Sequence, residues 1–364
     1  MKTITAAVCR AFQAPLVLEE IEMRDPLAGE VEVVLEAVAI CHSDLVYADG
    51  GWGGPLPVVL GHEAAGRISA LGAGVRGLAE GDRVAVTLLR SCQHCTPCAT
   101  GRVALCEGPR SAAVGPLTAR DGSPIWQGMA CGAFADRVVV DQGQVVKVPD
   151  TTKPEAAALL ACGVITGVGA VVNTARLRAG QDAVVIGAGG VGLNAIQGAR
   201  IAGARRIVAV DLSPTKLETA RDFGATDTVL ATDEAPWERV HEVLGRGADA
   251  VFVTVGAIPA FDAAPRYLAT GGQVVMIGLP HSGALSTYEP VMLASLGQSM
   301  VGSKMGDAVI RRDIPWMLDL YEQGRLKLDE LISARWPLER INEAMADTRA
   351  GAARRNVIVF PASG

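Results

Sequence analysis

DAVVIGAGGVGLNAIQGARIAGARRIVAVD, residues 182–211, decides the fold. It opens with a compact apolar run, AVVI, and then places glycines at Gly187, Gly189, Gly190 and Gly192. A segment with helical periodicity follows, and a second apolar run, RIVAVD, ends in Asp211. Strand, turn, helix and strand in that order make a βαβ unit. The glycines permit a tight turn and let a pyrophosphate approach the N–H groups at the helix start, where the helix dipole favours negative charge. Asp211 lies at the separation from which a carboxylate reaches the adenosine ribose hydroxyls. A carboxylate there accepts hydrogen bonds from the hydroxyls of NAD and repels the 2′-phosphate of NADP, so NAD is the expected cofactor.

Outward from this unit the same texture continues. DTVL, ADAVFVTVG and GQVVMIGL are further short apolar runs separated by helical segments, which predicts an α/β, doubly wound parallel sheet of the Rossmann type. Before about residue 150 the chain reads differently. VEVVLEAVAI, AAGRIS, RVAVTLL and FADRVVVD are strands broken by glycine and proline, as in a folded-over antiparallel sheet. After residue 305 come amphipathic helices near IPWMLDLYEQG and LERINEAMADTR and a last strand, NVIVF. A chain of 364 residues exceeds what one core supports, so two domains are expected.

Composition narrows the class. Net charge is -6, which argues against a nucleic-acid or anionic-membrane partner. The start, MKTITAAVCRAFQ, carries no secretory pattern, so the 8 cysteines are expected as reduced thiols in the cytoplasm. AAALLACGVITGVGAVV, residues 156–172, is uncharged, but a membrane span takes about 20 apolar residues and charged flanks, so a buried helix or turn is expected.

Two cysteine patterns point to metal. Cys92, Cys95, Cys98 and Cys106 lie in CQHCTPCATGRVALC at a spacing suited to tetrahedral zinc. Four thiolates leave no open ligand position, so this site braces a loop and does no chemistry. Outside that run, Cys41 in CHSD, His62 in GHEAAG and Cys162 in ACGVITG are three further ligand candidates. Two thiolates and one imidazole would leave the fourth position of a zinc ion free. Taken alone, each of the three reads more readily as a buried core residue than as a ligand. Cys9 and Cys131 are expected as ordinary buried thiols.

With these motifs in this order, the chain resembles the zinc-dependent medium-chain alcohol dehydrogenase family over essentially its whole length. The resemblance implies a mainly β, GroES-like catalytic domain formed by residues 1–163 and 305–364, with an NAD-binding domain of residues 164–304 inserted between them. It implies two zinc ions per chain, one catalytic at Cys41, His62 and Cys162 and one structural at the four-cysteine run. It further implies an oxidoreductase that moves a hydride between an alcohol and NAD, closing a cleft between its domains around them. Asp44 would orient His62, Glu63 would approach the metal during ligand exchange, and Ser43 would take the substrate proton. Some relatives continue the proton relay to a histidine where this chain has Val46, so water or His42 must serve here. His42 also matches a cofactor pyrophosphate contact. Thr166, Val191 and Ile277 match positions lining the nicotinamide, Lys216 one near the adenosine ribose, and Arg355, in the basic pair with Arg354, a pyrophosphate-binding arginine. Trp52, Leu88, Trp126, Met129 and Leu279 would line a largely apolar substrate pocket. Lys304, in VGSKMGD, stands where many relatives carry an apolar or aromatic side chain; it reads as a lysine snorkelling to solvent or as a cation suited to a substrate with a distal carboxylate or phosphate.

The expected partners are a small alcohol or aldehyde and a second copy of the chain, as a homodimer or a tetramer. Alternatives within the family are a glutathione-dependent formaldehyde dehydrogenase and a dismutase that keeps its nicotinamide bound. From other classes come an inactive zinc-braced binding protein and a four-cysteine nucleic-acid ribbon, the latter disfavoured because the lobe lacks a basic surround.

Overall fold

The computed structural model describes residues 1–108 and 115–361. They divide into two compact units. The first contains Met1–Cys162, Val309–Asp319 and the chain from Leu328 onward; the second contains Gly163–Ala308 and Leu320–Lys327. Gly163, Met305–Ala308 and Leu320–Lys327, which the sequence groups with the first domain, therefore join the second unit.

In the first unit the chain lays down β1 (Lys2–Cys9), β2 (Val17–Met23), β3 (Glu30–Ala39), β4 (Val58–Val59), β5 (Glu63–Leu71), β6 (Arg83–Thr87), β7 (Leu117–Thr118), β8 (Pro124–Gln127), β9 (Arg137–Asp141) and β10 (Val145–Lys147). Strands β1, β2, β7, β8 and β4 close a small barrel. Alternation along β3 buries Val31, Val33 and Leu35 in a core shared with Ile21, Met23 and Phe134. On its other face Glu32 is also buried, but it receives the Lys2 ammonium, the Arg137 guanidinium and the Ser69 hydroxyl, so the charge is paired.

The second unit is a sheet of β11 (Asp182–Ile186), β12 (Arg206–Asp211), β13 (Asp227–Leu230), β14 (Ala248–Val253), β15 (Leu268–Met276) and β16 (Ser299–Gly302). Its order is β13-β12-β11-β14-β15-β16, and every neighbouring pair is parallel. Order therefore reverses at β11, where consecutive strands run first to one side and then to the other. Ligands of such sheets bind outside the carboxyl ends of the strands at that point. The apolar runs are buried throughout because a parallel sheet is covered on both faces.

The chain then returns to the first unit with β17 (Ile332–Trp336) and β18 (Arg355–Val359). These complete a second sheet, β10-β6-β5-β3-β18-β17, with β9 also on β3. One expectation needs correction, since this unit is not wholly antiparallel: β17 pairs with β18, and β4 with β8, in parallel. The first pair is joined by the helix Ile341–Ala350, a crossover that parallel neighbours require.

The uncharged stretch forms part of one helical run, Pro154–Ala175, in which 89% of the most apolar window is buried inside the protein. Two π turns, Leu160–Val164 and Ala170–Ala175, interrupt it. Such turns widen the helix locally and recur at functional sites. Cys162 lies in the first of them.

Candidate metal and dinucleotide sites

Strand pairing in the first unit converges on one point. β3 ends at Ala39 and delivers Cys41; β5 begins at Glu63, so His62 sits at its entrance. β18 runs antiparallel to β3 with Val357 opposite Ala39, which carries Arg355 beside Cys41. The π turn adds Cys162. The ligand atoms of Cys41, His62, Glu63 and Cys162 all lie within 4.8 Å of one another, and all four residues are buried. Nothing in an apolar core explains two thiols, an imidazole and a carboxyl facing each other.

Asp44 fixes the imidazole. Its Oδ1 accepts from His62 Nδ1 at 3.1 Å and from the Gly61 N–H at 3.0 Å, while Oδ2 accepts the Cys41 N–H at 3.0 Å. With Nδ1 so engaged, His62 Nε2 is left facing the cluster, buried and without a hydrogen-bond partner. A buried acceptor in that state costs free energy unless something binds it, and a metal does so. Glu63 forms an ion pair with Arg355, itself buried at 6% exposure. The expectation for Arg355 named a pyrophosphate; its partner here is Glu63, and of the basic pair only Arg354 is exposed.

The electrostatics follow from this crowding. Burial raises the Glu63 carboxyl to about 7, with Arg355 opposing and Cys41 adding to the shift. Cys41 is held well below the ordinary thiol value by a hydrogen bond from Cys162 and by His62, against burial; Cys162 is raised by the same bond and by burial. For His62, burial alone would lower the value, but Asp44 overcomes it and raises it. The shared hydrogen bond thus favours the thiolate at Cys41 over that at Cys162, and a divalent ion bound by both sulfurs would replace their protons.

The second cysteine cluster is half-buried at the surface of the same unit. Cys92, Cys95, Cys98 and Cys106 also lie within 4.8 Å of each other. Four sulfurs around zinc at about 2.3 Å stand about 3.8 Å apart, so the set fits with small adjustments. N–H groups already point at the sulfurs: Cys92 N to Cys106 Sγ at 3.3 Å, Cys95 N to Cys92 Sγ at 3.4 Å and Glu107 N to Cys95 Sγ at 3.4 Å. A side chain at Gly108 would place its Cβ 2.5 Å from Cys92 Sγ, so glycine is needed to close the lobe. Cys9 and Cys131 are buried away from both sets, Cys131 receiving Gln144 Nε2 at 3.6 Å.

In the second unit, Gly187 (φ +96) turns the chain after β11, and Gly189 leads the helix Gly190–Ile201. A Cβ on Gly192 would lie 1.8 Å from the Gly187 carbonyl oxygen, so the turn tolerates no side chain there. Val191 is partly exposed in the helix's first turn. Asp211 ends β12 with Oδ2 accepting the Ala188 N–H at 2.7 Å and Oδ1 the Ser213 N–H at 2.9 Å. Its carboxylate is therefore fixed beside the loop. Thr254, which sequence reasoning did not select, donates its hydroxyl to the Ile186 carbonyl at 3.0 Å or that of Gly187 at 2.9 Å and closes the turn from β14. Its position at the carboxyl end of ADAVFVTVG was the available signal.

The remaining expected residues are more scattered. His42 is exposed and Ser43 half-buried on the short helix His42–Ala48, and Val46 is buried in it. Thr166 is buried and contacts Met305 Sδ at 3.5 Å; Ile277 is buried after β15, and Lys216 is half-buried with its N–H on Ser213 Oγ at 3.4 Å. Leu88 packs on the first unit's core and Trp52 is half-buried. Met129 is half-buried in a left-handed conformation (φ 50). Trp126 is 40% and Leu279 60% exposed. Lys304 is exposed after β16.

Two family models match the chain: the alcohol dehydrogenase GroES-like domain over residues 27–150 and the zinc-binding dehydrogenase over residues 190–323. A putative alcohol dehydrogenase D of Mycobacterium tuberculosis is 38% identical, covering 99% of this chain and 100% of that protein. An NDMA-dependent alcohol dehydrogenase of Amycolatopsis methanolica is 37% identical, covering 100% of both. The solved benzyl alcohol dehydrogenase of Acinetobacter calcoaceticus superposes with a TM-score of 0.93 at 30% identity, covering 99% of this chain and 100% of that one.

Proposed function

The chain belongs to the zinc-dependent medium-chain alcohol dehydrogenase family, and from that premise we propose that Cys41, His62 and Cys162 hold its catalytic metal and that Ser43 receives the proton of a bound alcohol. The protein is a zinc-dependent oxidoreductase that exchanges a hydride between an alcohol and NAD. The observation that carries the assignment of residues is the convergence of two thiols and an unpartnered imidazole nitrogen in a fully buried cluster. When bound, zinc supplies a Lewis acid that acidifies the alcohol, and the nicotinamide accepts the hydride.

The chain's own residues do the rest. Asp44 holds the His62 ring so that Nε2 faces the cluster, and Arg355 holds the Glu63 carboxylate beside it. Glu63 is placed to exchange with a ligand. Ser43 follows Cys41 by two positions and presents a hydroxyl that can pass a proton onward. Val46 offers no such group, so the proton leaves through the exposed imidazole of His42 or through water. Cys92, Cys95, Cys98 and Cys106 take a second zinc that braces the lobe. Gly187, Gly189, Gly190, Val191 and Gly192 take the pyrophosphate, and Asp211 the adenosine ribose, with Lys216 near it; Thr166 and Ile277 flank the nicotinamide.

The same reading makes the protein a cytoplasmic homodimer. Support for the dimer is the outer strand β16, paired among the described residues only with β15, and the exposed apolar side chains of Leu285, Tyr288, Val291 and Met292. Unpaired sheet edges and exposed apolar patches are characteristic of association surfaces. Sedimentation of the purified protein tests this, and a monomer at micromolar concentration rejects it.

Metal analysis with an NAD-reduction screen over varied alcohols tests the site. Two zinc ions per chain are expected, with Cys162→Ala losing one ion and the activity. Retention of both ions by that variant rejects the assignment.

A further inference from the structure

We propose that Gln144 is a positioning residue for alcohol specificity, tying together two segments of the substrate pocket, those that carry Leu88 and Met129. The inference rests on the reading of Cys41, His62 and Cys162 as the metal site and of those two side chains as pocket lining. All of these residues belong to the first unit.

Both segments lie beside the metal-candidate cluster. β5 and β6 pair with Glu63 opposite Thr87. Leu88 follows Thr87 and His62 precedes Glu63, so in an antiparallel pair the two leave that point in the same direction. The second segment runs along the residues that lead into His62. The Ala133 N–H donates to the Gly61 carbonyl at 2.9 Å and the Phe134 N–H to that of Leu60 at 2.8 Å. A Cβ on Gly128 would lie 2.9 Å from the Val59 carbonyl oxygen. Burial raises the Cys131 thiol and the charge of Asp44 adds to it, so this segment also adjoins the Asp44–His62 pair.

Met129 (φ 50) and Ala130 (φ 60) are both left-handed, and neither is glycine. Contact between Cβ and the backbone disfavours such residues, which persist only where surrounding structure fixes them. Gln144 supplies the fixing. β10 pairs with β6 with Val145 opposite Val86, which carries Gln144, the residue before β10, to the end of β6. Gln144 is 3% exposed, and its Nε2 donates to the Thr87 carbonyl at 3.0 Å and to the Ala130 carbonyl at 3.0 Å. Gln127 holds the next carbonyl, that of Cys131, at 2.9 Å. Both acceptors of Gln144 are carbonyls, so the position needs two donors on one group; a carboxylate has none and a hydroxyl one. A single buried amide thus sets the spacing between the residue before Leu88 and the residue after Met129. Pocket walls discriminate by fit when the groups that carry them are held in this way.

The ratio of kcat/KM for cyclohexylmethanol to that for ethanol reads the fit. In Gln144→Met, which keeps the volume and removes both donors, this ratio is expected to rise about tenfold, with zinc content and KM for NAD near those of the wild type. Ala130→Gly added to that variant takes positive φ without strain and should return part of the ratio. Gln144→Asn, too short to reach both carbonyls, should give a smaller rise and carries the test if the methionine variant does not fold. An unchanged ratio in the folded Gln144 variants, even with a lower Tm, overturns the proposal. Met129→Ala and Leu88→Ala separate the two readings. If they shift the ratio and the Gln144 variants do not, only the role of Gln144 fails; if they too leave it unchanged, the pocket reading fails with it.

Discussion

The Asp44 carboxylate and the His62 imidazole are locked together in the core, Oδ1 to Nδ1 at 3.1 Å, with both residues fully buried. The same carboxylate takes the N–H groups of Cys41 and Gly61, so one side chain fixes two of the proposed metal ligands, Cys41 and His62. Asp44→Asn keeps the shape but removes the charge, and we expect it to weaken the catalytic zinc about 10- to 100-fold, read by chelator competition. Asp44→Ala leaves three buried donors without an acceptor and should cost about 3 kcal/mol or more in unfolding experiments. An asparagine variant with unchanged zinc affinity would show that the carboxylate does not tune the site.

Asp211 has both oxygens fixed by the N–H groups of Ala188 and Ser213. A carboxylate held in place cannot swing away from a 2′-phosphate, so KM for NAD should lie far below that for NADP. Asp211→Asn should narrow the gap at least tenfold. Equal use of both cofactors by the wild type contradicts this account.

Cys98 belongs to a cluster at the surface, apart from Cys41, His62 and Cys162. In Cys98→Ser we expect the loss of about one of two zinc ions and a lower Tm, while kcat per remaining folded molecule stays near that of the wild type. A fall in kcat at full zinc content and unchanged Tm would place the lobe in the chemistry.

Glu32 supplies the pH dependence. Burial alone would raise its carboxyl, but Lys2, Ser69 and Arg137 outweigh that and hold it below the ordinary value. Its contribution to stability is therefore complete above the unfolded-state value of about 4.3 and is lost as pH falls through the lower, folded-state value. Between pH 7 and 3 the Tm of Glu32→Gln should start lower and decline less than that of the wild type. Parallel curves would remove Glu32 from the acid transition.

Much of this molecule was legible locally. GAGGVG between two apolar runs foretold the turn at Gly187 and the helix after it, because tight turns and helix starts depend on a few adjacent residues. The four-cysteine run announced its lobe for the same reason. The pairing of Arg355 with Glu63 was not legible there, because the two stand far apart in the chain and meet only through the pairing of β18 with β3. How exposed Trp126 and Leu279 are, 40% and 60%, was not legible, because the pleat of β8 and the loop after β15 set their directions. Thr254 passed unnoticed, since its place at the carboxyl end of ADAVFVTVG gains meaning only once β14 is known to lie beside β11.

The sequence by itself determined the parallel αβ unit, the identity of the thiols and imidazole available for metal, and a carboxylate at the end of the second strand of that unit. These follow from periodicity and short-range sterics, which any window of the chain carries. Only the tertiary structure decided which groups meet. Cys41, His62, Cys162 and Arg355 are remote in the chain and converge because β18 pairs with β3 in one register, while a π turn carries Cys162 inward. Pairing of that kind depends on burying whole strand faces together. No local stretch encodes it, and the left-handed backbone at Met305, Gly306 and Asp307 exists for the same reason: Thr174 and Asn173 hydrogen-bond to it from a separate segment of the chain.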